Sequence, residues 1–143
     1  MRERLIVLDA NILIRATLGQ RVRRILAAYE PASEFLTPNT AYDEVRKHLP
    51  GLMSKRGAPA RRHESMLDTL TSVTIVDRGT YASACARAQA RINHRDPDDW
   101  PVLACALAHG YPIWTEDRDF FGTGVATWTT DRIELFVNES GVA

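Results

Sequence analysis

The chain reads as an α/β domain built on a mainly parallel sheet with helices on both faces. Three observations predict this. Short apolar runs alternate with segments of helical periodicity along the whole sequence. The first run, Leu5-Ile6-Val7-Leu8, is apolar at every position, as a strand covered on both faces requires, and it stops at Asp9. Far downstream, Asp96-Pro97-Asp98-Asp99-Trp100-Pro101 leads into apolar residues 102–108, then Gly110, then Pro112 to Thr115. That order spells helix start, helix, stop and strand.

The elements follow in turn. Residues 11–18 carry Ile12, Leu13, Ala16 and Leu18 at roughly helical spacing, and Gly19 breaks the pattern. Residues 21–29 form a second amphipathic helix with Val22, Ile25, Leu26 and Tyr29 as its apolar stripe. Pro31 stops it, and residues 33–36 read as the second strand. Thr37-Pro38 has the cap-then-proline pattern of a helix start, and the helix runs to about Leu49, where Pro50-Gly51 ends it. Residues 51–58 read as a basic loop with Lys55 and Arg56, and residues 59–70 as another helix. Residues 73–76 are the third strand. Thr80 caps a helix reaching about Asn93, with Tyr81, Cys85, Ala88 and Ile92 inward. Pro101 lacks an N–H and belongs in the first turn of its helix, so that helix starts near Asp98 or Asp99. Pro112 to Thr115 is the fourth strand and residues 125–128 the fifth. Residues 133–137 fit strand or helix, because so short a run has no decisive period.

Length and composition bound the function. The 143 residues suffice for one domain, residues 1–143, with a substantial core; 45% are hydrophobic and 25% charged, as in ordinary globular proteins. No apolar run approaches the roughly 20 residues of a membrane helix. Met1-Arg2-Glu3-Arg4 does not open a signal peptide, so the expected location is the cytoplasm. Cys85 and Cys105 lie in Ala-rich stretches and read as buried reduced thiols, without zinc-ligand spacing. Net charge is zero but uneven: residues 1–72 hold 12 basic against 8 acidic residues, and residues 73–143 hold 6 against 10. Sixteen of the 18 basic residues are Arg, which suits bidentate phosphate contacts and is equally explained by genome preference. Arg15, Arg46, Lys47, Lys55 and Arg56 are the residues to guide a phosphate toward an acidic site.

The acids carry the chemistry. In a parallel sheet, sites lie outside the carboxyl ends of the strands. Asp9 and Asp117 fall at such ends, and Asp98 or Asp99 stands at a helix start. Singly, each has an ordinary explanation: a cap, a turn former, a helix-dipole partner, or a solvated helix face for Glu44. Together they are costly, since converging carboxylates repel unless a divalent cation sits between them. Hard cations such as Mg²⁺ take oxygen ligands and can serve phosphodiester cleavage. The four histidines are scattered, and no Ser–His or Cys–His nucleophile pair is evident.

Leu8-Asp9-Ala10-Asn11-Ile12-Leu13, the isolated Glu44, Asp99 before an Ala/Leu helix, and Thr115-x-Asp117-x-Asp119-Phe120 resemble, in that order, the PIN domain family. The resemblance covers nearly the whole chain, and residues 114–128 further resemble a bacterial subgroup of it. It implies a PIN-like fold, a central mainly parallel sheet flanked by helices, and a nuclease dependent on Mg²⁺ or Mn²⁺ that usually acts on RNA. By motif position Asp9, Glu44, Asp99 and Asp117 would be the core acids and metal ligands, with Asp119 auxiliary. Asn11 and Thr115 match polar residues that steady the first and last acids. The Asp98-Asp99 pair departs from the family's single acid; the spacing to Val102-Leu103-Ala104 selects Asp99 and leaves Asp98 as the cap, an assignment that the sequence also permits in reverse. Many small bacterial members are VapC-type toxins held by an antitoxin, a role that no motif here carries. The expected partners are RNA, an antitoxin protein and a second copy of the chain, with no membrane. The alternative is a non-catalytic RNA- or partner-binding module of the same fold; a phosphatase or a structure-specific DNA nuclease would use the same acids.

Overall fold

The computed structural model describes residues 4–55, 57 and 70–139. Among these described residues, five parallel strands form one sheet in the order β3-β2-β1-β4-β5. They are β1 (Arg4–Leu8), β2 (Ser33–Pro38), β3 (Val73–Val76), β4 (Ile113–Trp114) and β5 (Thr127–Trp128). The helices are α1 (Ala10–Leu18), α2 (Arg21–Tyr29), α3 (Asn39–Lys55), α4 (Arg78–Tyr81), α5 (Cys85–Ile92), α6 (Trp100–His109) and α7 (Ile133–Glu139). Single 3₁₀ turns occupy Ala82–Ala84, Pro97–Asp99 and Arg118–Phe120.

Alternation along the central strands builds two cores. Ile6 and Leu8 of β1, with Phe35 and Trp114, face α1, α2, α3 and α7 through Ile12, Ile25, Val45, Leu49, Ile133 and Val137. Val7, with Leu36 and Ile113, faces the other side, where Tyr81, Ala88, Ile92 and residues 102–106 pack. Every strand residue from Ile6 to Leu8 is 0% exposed, which explains the unbroken apolar run. The order reverses between β1 and β4, so the crevice beyond their carboxyl ends is the switch point of the sheet. Among the described residues no helix is long and apolar enough to cross a membrane.

Several local expectations are corrected. β2 runs through Thr37 and Pro38, which pair with Ile75 and Val76; the Thr37 hydroxyl donates to the Leu8 carbonyl at 2.9 Å instead of capping a helix. α3 passes through Pro50 to Lys55. An interior proline costs about 3 kcal/mol, and burying Met53 one turn after Leu49 offsets much of it, at about 1.5–3 kcal/mol for a fully buried methionine. The segment expected as one helix from Thr80 starts at Arg78 after Asp77 and breaks into α4, a 3₁₀ turn and α5. Ala84 is buried there and Cys85 only half-buried. The helix expected over residues 59–70 lies outside the described residues apart from Leu70, which is buried and not helical; Arg56 lies outside them too. Residues 133–139 resolve as helix. Gly110 ends α6 in the left-handed conformation at φ 75°, as a helix stop should.

Candidate metal centre

Asp9 ends β1 and is 5% exposed. Its carboxylate accepts from the Ala10 N–H at 2.8 Å, from Asn11 Nδ2 at 2.9 Å and from the Thr115 hydroxyl at 2.8 Å, while its own N–H donates to the Trp114 carbonyl. Thr115 follows β4 directly and is itself 0% exposed. Its oxygen also accepts the Asp117 N–H at 2.9 Å. The first and last acids are therefore joined through one hydroxyl. Asn11 completes the link by reaching Thr115 Oγ1 at 3.3 Å and accepting the Glu116 N–H at 3.3 Å.

The cap of α1 is Asp9 and not Asn11. Asn11→Ser is accordingly expected to spare helix α1 while cutting the bridge to Thr115 and Glu116. Loss of such supporting bonds commonly lowers metal affinity or activity by about 10–100-fold. Thermal unfolding and a cleavage assay on the same preparation check this; undiminished cleavage would leave Asn11 as a local surface residue.

The helix side of the site comes from the Pro97–Asp99 turn. Asp96 caps it, its Oδ1 accepting the Asp98 N–H at 2.9 Å. The cap is thus Asp96, and the expectation that Asp98 caps is corrected. The reason is geometric. A 3₁₀ turn has three residues per revolution, so positions three apart eclipse. Asp96 and Asp99 fall on one side, and Asp98 is turned out to solvent and exposed. On the strand side, Asp117 Oδ1 accepts the Asp119 N–H at 2.9 Å, which folds the loop so that both carboxylates face inward.

One oxygen from each of Asp96, Asp99, Asp117 and Asp119 lies within 4.8 Å of the others. Asp99 Oδ2 is buried without a hydrogen-bond partner. Asp99 also makes no side-chain cap bond to α6. A buried orphan oxygen among three further carboxylates is the donor set a hard divalent cation takes. Asp9 and Glu44 stand outside the group of four. Glu44 is an exposed residue of α3; its charge adds the least to a rise of the Asp9 carboxyl that burial mainly causes.

The electrostatics follow from burial. Desolvation pushes Asp9 up to about 6; the Thr115 and Ala10 bonds pull the other way, and the charges of Asp117 and Glu44 add to the rise. Burial pushes Asp99 further, to about 8, aided by the charges of Asp9, Asp96 and Asp117. A thiol nucleophile is poorly served. Cys105 Sγ lies 3.9 Å from His109 Nδ1, but that nitrogen is 2.7 Å from the Cys105 carbonyl and burial pushes the thiol up to about 12.

Asp96 is the cluster member that the sequence hid. Its signal was the Asp-Pro pair, a cap followed by proline at N1, three positions before Asp99. Glu116 was also silent; its Oε1 accepts the Thr130 N–H at 2.6 Å and ties the β4 loop to the segment after β5.

The fold recurs among solved structures. A toxin–antitoxin complex from Klebsiella pneumoniae superposes with a TM-score of 0.64 at 19% identity, covering 87% of this chain and 97% of that one. VapBC2 from Rickettsia felis, bound to a DNA fragment from its promoter, superposes with a TM-score of 0.65 at 14% identity, covering 87% and 98%. None of the curated proteins shows a significant sequence match. The sequence model of the PIN domain matches residues 7–138, a span that includes every acid described above, and the chain belongs to that family.

Proposed function

We propose that the chain is a Mg²⁺- or Mn²⁺-dependent endoribonuclease and the toxin of a toxin–antitoxin pair. The observation that carries the reading is the group of four carboxylates with the orphaned Asp99 oxygen, set at the switch point of a PIN fold. Asp99 and Asp117, with Asp96 and Asp119, would hold the ion, and Asp9 and Glu44 complete the acidic wall. When bound, the cation supplies Lewis acidity toward a phosphodiester and a lowered pKa for the attacking water.

The chain's own residues do the rest. Thr115 and Asn11 fix the Asp9 carboxylate, and the Thr115 and Ala10 bonds keep its proton affinity from rising further. The Asp119 N–H occupies Asp117 Oδ1 and leaves Oδ2 for the site. Two structural relatives from toxin–antitoxin systems support an antitoxin protein as partner. RNA is the substrate, and a second copy of the chain completes the assembly. Two free cysteines suit a reducing cytoplasm.

Cleavage of an RNA pool with Mn²⁺, with EDTA, and with Mn²⁺ restored is the deciding experiment. Activity should appear, vanish and return, with Asp117→Asn inactive throughout. Thermal unfolding should show a Mn²⁺-dependent gain of about 2.7 kcal/mol at a hundredfold excess over Kd. Activity indifferent to EDTA would sink the metal reading. A metal-stabilised chain that cleaves nothing would mark a binding module instead.

A further inference from the structure

Asp117 and Asp119 stand on the loop between β4 and β5, and two arginines from the opposite side of the cluster grip that loop. Arg95, the residue before Asp96, donates from Nη1 to the Asp119 carbonyl at 3.0 Å and to the Phe121 carbonyl. Arg91, four residues earlier on α5, donates from Nη1 to the Thr123 carbonyl at 2.9 Å. The loop backbone is shaped around them. Gly124 has φ +89°, and a Cβ there would lie 2.7 Å from Arg91 Nη1. A Cβ at Gly122 would lie 3.4 Å from Arg95 Nη2. Both guanidiniums are directed at main-chain carbonyls, which leaves the carboxylates free.

We propose that Arg95 is a positioning residue of the metal centre, clamping the loop that carries Asp117 and Asp119 onto the turn that carries Asp96 and Asp99, with Arg91 as the second anchor. The proposal rests on the reading that these carboxylates hold a divalent cation. Four carboxylates on two separate segments repel one another, so the segments need a tie that does not consume a ligand oxygen. Arg95 adjoins one half of the group in sequence and hydrogen-bonds the backbone of the other half.

The sign of the effect separates a clamp from a bystander charge. A cation beside a metal site repels the metal, so removing a bystander Arg95 would tighten binding. Removing a clamp loosens it. The test is the Mn²⁺ dissociation constant, read from the free-ion electron paramagnetic resonance signal at one pH and ionic strength, with folding checked by circular dichroism. Arg95→Met keeps the stem and removes every donor; binding about 10–100-fold weaker is expected. Arg95→Lys, which restores a charged donor, should fall between it and wild type, and Arg91→Ala should lose less than Arg95→Met. Unchanged or tighter binding in Arg95→Met overturns the clamp. If that variant does not fold, Arg91→Ala decides: weaker binding supports the clamp and wild-type binding overturns it. A wild-type chain that binds no Mn²⁺ removes the metal reading itself, and the clamp with it.

Discussion

Asp99→Asn is expected to abolish metal-dependent cleavage while making the metal-free protein more stable. The substituted side chain keeps size and most hydrogen-bonding capacity but cannot ionise, whereas the Asp99 carboxyl, held up to about 8 first by burial and then by the charges of Asp9, Asp96 and Asp117, must ionise at a cost as pH rises. A carboxyl whose pKa is higher in the folded than in the unfolded chain binds its proton more tightly when folded. Its contribution favours the fold below the unfolded value of about 4 and is lost as pH rises through the folded value. Wild-type stability in EDTA should therefore fall between about pH 4 and pH 8, with Asp9, at about 6, contributing to the earlier part of the decline. The introduced amide has no proton to lose in this range, and the variant's curve should be flatter. At pH 8 the gain should be about 1 kcal/mol after allowance for solvent screening, or about 3 °C in Tm. Adding Mn²⁺ should reverse the ranking, because only the wild type gains from binding the ion. Thermal unfolding from pH 5 to pH 8, with EDTA and with Mn²⁺, reads both effects. A large loss of stability in EDTA would make Asp99 a structural cap, against the absence of any cap bond from its side chain. Full cleavage by the variant would remove Asp99 from the catalytic set.

Thr115→Val should be nearly as severe by a different route. Valine matches threonine in shape, so the buried position stays filled. What disappears is a donor to Asp9 Oδ2 and an acceptor for the Asp117 N–H. Leaving such buried groups unpaired costs about 1–3 kcal/mol of stability. Cleavage should drop about 10–100-fold as the acids lose their common tether. There is also a pH signature. The Thr115 bond lowers the Asp9 pKa, so its loss raises that pKa beyond about 6 and moves the acid limb of the pH–rate profile upward. Thr115→Ser restores the hydroxyl and should recover most of the activity and the original limb. A wild-type profile in the Val variant would show that Asp9 does not depend on this bond.

What could be seen in the sequence was whatever depends on period or on chain-local chemistry. The four-residue apolar run before Asp9 read as a buried strand and Gly110 as a helix stop, and both are what the fold contains. The order of strands and helices pointed to the parallel sheet. The missed features all depend on tertiary partners. Thr37 looks like a cap until the Leu8 carbonyl claims its hydroxyl. Pro50 looks like a helix end until Met53 is found buried beyond it. In the site, Asp9, Asp99, Asp117 and Asp119 were visible as acids at element ends, yet their grouping was not equal. Asp119 joins the tight group while Glu44 stays exposed on α3, a difference set by the loop fold after β4. Asp96 was masked by its own proline, since a turn residue before Pro97 needs no further explanation until the 3₁₀ geometry aligns it with Asp99.

The pairing of β1 with β4 also sets when the centre can exist. Leu8 lies beside Trp114, and Asp9 meets the Thr115 hydroxyl across 106 positions. A ribosome adding about 5–20 residues per second takes on the order of ten seconds to cross that distance. For that interval the emerging polypeptide carries Asp9 but neither Thr115 nor Asp117, and one edge of β1 waits without its neighbour. On the proposed reading, the cutting site is absent from the nascent chain until β4 has left the exit tunnel and docked beside β1.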